Sequence, residues 1–573
     1  MRNAFSTVRG VGRPHEGDSG DQPMRRAWRV CAIALLALFA TSAVRAAPAL
    51  AARGAAESQD PDAVPGAAAA PRNANPVRAL RIAIRGNRAL RARALQAVAA
   101  PYLGRDLGAA DIENLREALT RRYTDHGFVN SVVTLDPNAP FHDGVLSFLV
   151  IEGRIKEIRV HGLDGLRASY VIDRVRGSED ETLNTDVLRE RLLRLAEDPL
   201  FARVNSSIDP GPDSGDVNDV ILNVDVERAR PYSLSVALNN YRPPSIGEKG
   251  YDVSTQVRDL TGFGDEVDAD LSGPLASSGG LGYGLDWQLP FDHYGSVATV
   301  SVAKINTVVT AEPLSALDIR STIERQEFKL TQPVWSAMGQ QFNVGASVAH
   351  EEESTQADAQ YAQSTGTTPG STRALTVRLL PEYSYRSPQQ YLSLRLTWLH
   401  ADLLDYSSGP PSALLPDQHY VVWTGQLHHV WDLAAAPFEL ESRAIVQRTD
   451  ARISDLHAQE IGGINSVRGF REDELLVGNV VNANVDFRWL ALRAAAARDP
   501  SLVLGTFFDW AAGHDVGEPT DTFSSCGVTF RLKWSRIQLD FAYGLPLVRP
   551  GFVSGEHGSW QDHGIHVQIT TTL

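Results

Sequence analysis

The chain has 573 residues, 43% of them hydrophobic, with 69 acidic against 54 basic side chains and a formal net charge of −15. That length calls for two to four domains, and the acidic balance excludes a protein that grips nucleic acid through a basic face. A mean hydropathy of −0.19 does not exclude a membrane barrel, whose strands alternate apolar and polar residues and so average out.

At the N-terminus, Arg25, Arg26 and Arg29 precede an apolar run from Val30 to Ala40, and Val44-Arg45-Ala46 offers a cleavage site. A basic region, a short apolar stretch and small residues at the cut read as a secretory signal peptide over 1–46, with translation starting at Met1 or Met24. The run is shorter than the roughly 20 residues of a comfortable membrane-spanning helix; a signal anchor is the alternative. Cys31 would leave with the peptide, and Cys526 is then expected to be a packing residue rather than a nucleophile. Residues 47–76 are rich in Ala and Pro and read as a linker. One short helix around 47–57 is conceivable, but a plug helix is not clearly written there.

Two copies of one small unit follow, over 77–152 and 153–230. In the first, Leu80–Ile84 alternates as a strand and Leu90–Tyr102 has helical spacing. Gly108–His126 places Ile112, Leu115, Leu119 and Tyr123 on one helix face, and strands Val129–Leu135 and Val145–Ile151 close the unit. The second copy repeats the order β-α-α-β-β with Ile155–Val160, Leu166–Val175, Thr185–Glu197, Val204–Ile208 and Val220–Val226.

From Tyr232 onward, period-two alternation replaces helical periodicity. Leu392, Leu394, Leu396 and Trp398 interleave with Ser393, Arg395 and Thr397; Val481, Ala483, Val485, Phe487 and Trp489 are set against Asn482, Asn484, Asp486 and Arg488. Charges in mid-strand, such as Arg395 and Asp486, suit a wet lumen better than a dry core. Segments of about 9–11 residues fit a tilted bilayer crossing, and Trp398, Tyr420, Trp423, Trp489, Trp510 and Trp534 read as interfacial aromatics. Strand starts fall near 232, 250, 265, 281, 296, 323, 340, 373, 389, 418, 436, 479, 502, 525, 536 and 563. The fold class is therefore membrane all-β, a 16-stranded antiparallel barrel over 231–573 behind two α/β units. Short turns such as Trp534-Ser535-Arg536 alternate with long loops at about 352–372, 403–417, 448–478 and 545–562. The run Glu351-Glu352-Glu353 reads as a solvated loop base, and His428-His429 and Asp455/His457 as polar lumen residues rather than metal ligands.

Two segments carry a resemblance. Val467-Arg468-Gly469-Phe470, in the loop at about 448–478, resembles the signature of the BamA-like barrel superfamily, whose loop folds back into the lumen. Gly505-Thr506-Phe507-Phe508-Asp509-Trp510-Ala511-Ala512-Gly513 resembles the strand whose acid pairs with that loop arginine, with Phe507, Asp509 and Gly513 as its motif positions. The two small units are similar to polypeptide-transport-associated (POTRA) domains. Leu90–Leu103, Arg122-Tyr123 through Gly127-Phe128, Val150–Arg154 and Asn239-Asn240-Tyr241 are similar to the outer-membrane translocators of two-partner (type Vb) secretion. Those are the haemolysin secretion/activation proteins of ShlB/FhaC/HecB type, the TpsB proteins.

The resemblance covers about 77–573. It implies an outer-membrane barrel, POTRA domains in the periplasm, and an unfolded exoprotein client of adhesin or haemolysin class exported without ATP. Outer-membrane lipids and the barrel-assembly machinery would be further partners; no cofactor, metal, nucleic acid or catalytic residue is implied. An Arg468–Asp509 salt bridge would hold the inserted loop. Two departures stand out: the last residue is Leu573 where such barrels commonly end in an aromatic, and Asp486-Phe487-Arg488 replaces the usual Asn-Glu pair. A barrel-assembly insertase is the alternative, and a general diffusion porin a more distant one. The sequence contains no P-loop, Gly-x-Ser-x-Gly elbow or HExxH.

Overall fold

The structure, a computed structural model, describes residues 76–573 apart from 179–180, 212–217, 277–279, 293, 312–314, 316–317, 357–369, 408–415, 434–436, 495, 497 and 552–557. The expected signal peptide and nearly all of the Ala/Pro-rich linker lie outside the described residues.

The first small unit contains β1 (Arg81–Arg85), α1 (Ala92–Ala99), α2 (Ala109–Thr124), β2 (Val132–Leu135) and β3 (Val145–Ile151). Its sheet has the order β1-β3-β2, with β1 parallel and β2 antiparallel to β3. Leu95, Leu115, Leu119, Tyr123 and Phe148 are fully buried between helices and sheet. The helix expected over Leu90–Tyr102 is shorter, because Pro101 lacks a backbone donor and the chain tightens into a 3₁₀ turn at Ala100–Tyr102.

The second unit repeats the plan with β4 (Ile155–His161), α3 (Ala168–Val175), α4 (Thr185–Ala196), β5 (Phe201–Pro210) and β6 (Val220–Arg228), in the order β4-β6-β5. Asn184 caps α4 by accepting from the amides of Asp186 and Val187. Leu166, expected inside α3, precedes it and is buried in the core. The Glu152 carboxylate joins the units, accepting from Tyr123 Oη at 2.9 Å and Thr182 Oγ1 at 2.7 Å.

Sixteen strands then close a barrel. They are β7 (Tyr232–Asn239), β8 (Gly250–Arg258), β9 (Glu266–Pro274), β10 (Gly282–Pro290), β11 (Val297–Val308), β12 (Arg320–Ala337), β13 (Gln340–Gln356) and β14 (Gly370–Arg386). After them come β15 (Gln390–Ser407), β16 (His419–Leu433), β17 (Phe438–Arg448), β18 (Asn479–Leu492), β19 (Ser501–His514), β20 (Asp521–Trp534), β21 (Ile537–Val548) and β22 (Ile565–Thr572). Each strand pairs antiparallel with its sequence neighbour, and β22 returns to β7 through the register Gln568↔Asn239 to Thr572↔Ser235. Among the described residues, no helix is long and apolar enough to cross a membrane.

The barrel is inside out relative to a soluble fold. Phe328, Leu330, Val485, Phe487 and Trp489 are exposed on the outer face, whereas Glu351, Arg378, Asn482, Asn484 and Asp486 are buried within. Only a surrounding apolar phase makes that pattern favourable, because a closed barrel leaves no strand edge unpaired in lipid. Strand lengths run from 8 to 18 residues; most exceed the expected 9–11, and β12 to β15, at 17 or 18 residues, project beyond a bilayer crossing. Trp423, Trp489 and Trp534 are exposed outward, but Tyr420 is buried inside and does not belong to an aromatic belt.

The second small unit docks on the turn between β8 and β9. Arg228 Nη2 meets Asp259 Oδ2 at 2.7 Å, and the Arg167 guanidinium stacks 3.4 Å over Phe263. That contact fixes the near rim. Alternation of strand direction then puts the end of β17, and the whole 449–478 connection, at the far rim.

Candidate functional site

The 449–478 connection turns back into the lumen instead of extending away. It forms a 3₁₀ turn (Asp455–His457) and a small hairpin of Gln459–Ile461 with Leu475–Val477. The tip between these strands carries Val467-Arg468-Gly469-Phe470, all buried.

Each tip residue has a distinct contact. Val467 and Phe470 join Ile461, Val477, Val480, Ala511 and Phe523 in an apolar cluster, with Phe470 edge-on to Phe523 at 5.2 Å. Gly469 has φ +95°, and a Cβ there would lie 2.8 Å from the backbone of Gly544. Only glycine allows the loop backbone to rest on β21 in that conformation.

Arg468 is the centre. Its Nε donates to Asp509 Oδ2 at 2.8 Å and its Nη2 to Asp509 Oδ1 at 2.7 Å, a bidentate pair. The Arg468 amide also donates to Asp509 Oδ2 at 3.0 Å. A second carboxylate closes the other side: Nη1 and Nη2 donate to Asp486 Oδ1 and Oδ2 at 2.7 and 3.0 Å. The guanidinium lies 3.7 Å over the Phe507 ring. Arg443 Nη2 sits 3.7 Å from Asp486 Oδ2, so two cations face two anions.

The three charged side chains at the centre are at most 4% exposed. Burial works against the Arg468 charge, but the hydrogen bonds and charges of Asp509 and Asp486 outweigh it and hold the guanidinium more firmly protonated than usual. Strand register explains the convergence, since β18 and β19 pair Asn484 with Asp509 and Asp486 with Phe507. Asn484 Nδ2 donates to Asp509 Oδ1 at 2.8 Å and to the Ser466 carbonyl, while Asn482 Nδ2 donates to Ser466 Oγ at 2.7 Å.

Gly513 takes no part in the ion cluster. A Cβ there would meet Ile461 Cδ1 at 2.6 Å and Val477 Cγ2 at 2.7 Å, so its role is to admit the small hairpin. Asp486, which the sequence marks as a lumen-facing charge and as a departure from the family pattern, is the second acceptor of Arg468. Alternation had placed it inward, but nothing local showed which residue it would meet.

Glu351 also differs from expectation. Glu351 is not a solvated loop base: it lies within β13, is 5% exposed, and contacts Arg378 and His457. His457 lies in the lumen as expected, but buried against the wall in its contact with Glu351. His428 Nε2 pairs with Glu441 at 2.8 Å. Among the described residues, no group of three or more His, Cys, Asp or Glu side chains is placed to hold a metal ion. Cys526 is a half-buried free thiol on β20. Asn240 stitches the barrel seam, its amide accepting from the Val567 N–H at 2.7 Å and donating to the Ile565 carbonyl at 2.8 Å.

Comparisons with known proteins agree with this architecture. A family model described as "POTRA domain, ShlB-type" matches residues 78–153, and one described as "Haemolysin secretion/activation protein ShlB/FhaC/HecB" matches 218–482. The heme/hemopexin transporter protein HuxB of Haemophilus influenzae is 25% identical over 175 residues, which cover 30% of this chain and 30% of that protein. CdiB from Escherichia coli shares the fold at 17% identity and a TM-score of 0.67, over 89% of this chain and 93% of that one. BamA from Haemophilus ducreyi lacking POTRA domains 1–3 is more distant, at 14% identity and a TM-score of 0.52, over 87% of this chain and 100% of that one. The two family matches, on the first small unit and on the front of a closed barrel, support a translocator of the haemolysin secretion/activation type, ShlB/FhaC/HecB.

Proposed function

We propose that this protein captures an unfolded partner polypeptide in the periplasm and exports it through its barrel. The observation that carries the reading is a lumen loop held by a buried ion cluster, since a loop pinned by reversible contacts is a gate. Val467, Arg468, Gly469 and Phe470 form the latch, Phe507 and Asp509 its seat, and Gly513 the clearance behind it. The inferred division of labour is a signal peptide at 1–46, a linker at 47–76, docking domains at 77–152 and 153–230, and the channel at 231–573. The client is taken to be an exoprotein of haemolysin or adhesin class that folds outside, so that export needs no ATP and the protein performs no catalysis. Lipids cover the outer apolar face, and the barrel-assembly machinery would insert it.

Client capture by strand addition requires a free sheet edge. The first unit's edges are capped: Val133 donates to Thr120 Oγ1 and accepts from Arg116, and Gln96 donates to the Ile82 carbonyl. By contrast β5 is a mostly exposed edge of ten residues, without such caps among the described residues. It is the preferred landing strand. Deleting 77–228 is expected to abolish export while leaving the barrel inserted; continued export would contradict capture by these domains.

Gating is tested by planar-bilayer conductance of wild type against a deletion of 454–474. Small fluctuating currents that become large and steady on deletion support the gated channel; large steady currents in both point to an open porin. The insertase alternative is less favoured because the likeness to BamA is one of fold at 14% identity, whereas both matching family models are of ShlB type.

A further inference from the structure

The inserted loop is fixed at a second place, on the wall strands that precede those around Arg468. Before the 3₁₀ turn, Ala451 and Ile453 pack with Leu456 and Ala458 on Ala374, Leu399, Ala401, Leu403, Tyr420 and Val422. Within this apolar seat His457 is buried, its side chain 4% exposed. Its Nε2 lies 2.8 Å from Glu351 Oε2 and its Nδ1 2.7 Å from Tyr420 Oη. Gln447 Nε2 donates to the His457 carbonyl at 2.9 Å, and the Ser454 amide donates to Tyr420 Oη at 3.3 Å.

The hydrogens of this chain are determined by elimination. A carboxylate only accepts, so Nε2 carries the proton and donates to Glu351. Nδ1 then accepts from the Tyr420 hydroxyl, whose oxygen is left to accept from Ser454. Each donor finds one acceptor when the imidazole is neutral. Arg378 Nη2, 2.7 Å from Glu351 Oε1, and Arg325 Nε, 3.4 Å from the same oxygen, already balance the carboxylate charge. Thr376 Oγ1 donates to Glu351 Oε2 at 3.2 Å.

The two anchors share no wall residue. One uses β13 to β17; the other is seated on β18, β19, β20 and the backbone of β21. We propose that His457 is a positioning residue for export: it holds the root of the loop in the lumen when the Arg468 latch opens. The loop then swings aside as a tethered flap, and the aperture open to the client is set by the root as well as by the tip. Full clearance requires both anchors to release. This inference rests on the gated-channel reading.

The test is single-channel conductance in planar bilayers of Arg468→Ala, His457→Ala, the double variant and the 454–474 deletion, each first shown to be folded by the heat-shift of the intact barrel on gels. Arg468→Ala is expected to open to an intermediate level, and the double variant to reach the level of the deletion. Tyr420→Phe keeps the ring in the apolar seat but removes the hydroxyl, so it is expected to act as His457→Ala does in the Arg468→Ala background even if that substitution impairs folding. His457→Gln, which keeps one donor and one acceptor, should partly restore the intermediate level. Arg468→Ala alone reaching the deletion level, or the double variant remaining at the Arg468→Ala level, would overturn the second anchor and leave the gate itself intact. Large steady currents in wild type would remove both.

Discussion

The two carboxylates around Arg468 are not equivalent, and that inequality makes a quantitative prediction. Asp509 accepts three of the hydrogen bonds that Arg468 makes, one of them from the loop backbone. Asp486 accepts two, and has Arg443 at 3.7 Å as a further cation. Asp509→Ala leaves a buried guanidinium with half its fork empty, which costs about 3–5 kcal/mol. At about 1.4 kcal/mol per decade, the ratio of released to docked loop should rise roughly a hundred- to a few-thousand-fold. Asp486→Asn keeps one acceptor oxygen, so the expected cost is about 1.5–3 kcal/mol, roughly a ten- to hundred-fold rise. The assay is the ratio of open to closed dwell times in planar bilayers, beside export of a co-expressed client. An Asp486→Asn effect equal to or greater than that of Asp509→Ala would refute the assignment of Asp509 as the main seat, and no change in either would refute the latch.

Arg468→Lys should behave almost as Arg468→Ala, because one ammonium cannot span both carboxylates; wild-type dwell times in the lysine variant would argue against the fork geometry. Gly469→Ala forces a side chain into positive φ and onto the Gly544 backbone, with about 1–3 kcal/mol expected from strain alone; the open-to-closed ratio should rise at unchanged barrel heat-shift. Burial pushes the Glu472 carboxyl in the loop up from 4.5 to about 7. The docked loop therefore favours the protonated acid, and its contribution to docking is complete below pH 4.5 and lost as pH rises through 7. Openings should lengthen from pH 6 to pH 8, and Glu472→Gln should flatten that dependence; firmer docking at pH 8 would contradict it.

The barrel was readable because period-two alternation marks the bilayer-crossing part of the strands, and each of the sixteen expected starts lies within four residues of an observed one. Strand ends were not, since a long strand that leaves the bilayer loses the apolar face that marks it, as β13 does at Glu351–Gln356. The tip of the loop carries its own signature in four consecutive residues. Its partners do not: Asp486 acquires its role from the register of β18 against β19, and Glu351 meets a histidine 106 positions away. Alternation says that such residues face inward, but not which part of a folded-back loop lies opposite.

The chemistry of the latch also accounts for why a gate would use charge rather than more apolar contact. Burying Val467 and Phe470 is favourable whichever way the loop is oriented, because the hydrophobic effect has no direction. A planar guanidinium between two carboxylates is satisfied in one orientation only. Its net contribution is modest, since both charges and their acceptors give up hydration on docking and regain it on release. Such a contact fixes position strongly while leaving the docked and released loops close in free energy. A client entering the lumen can shift that balance by contacts of its own, without an external energy source.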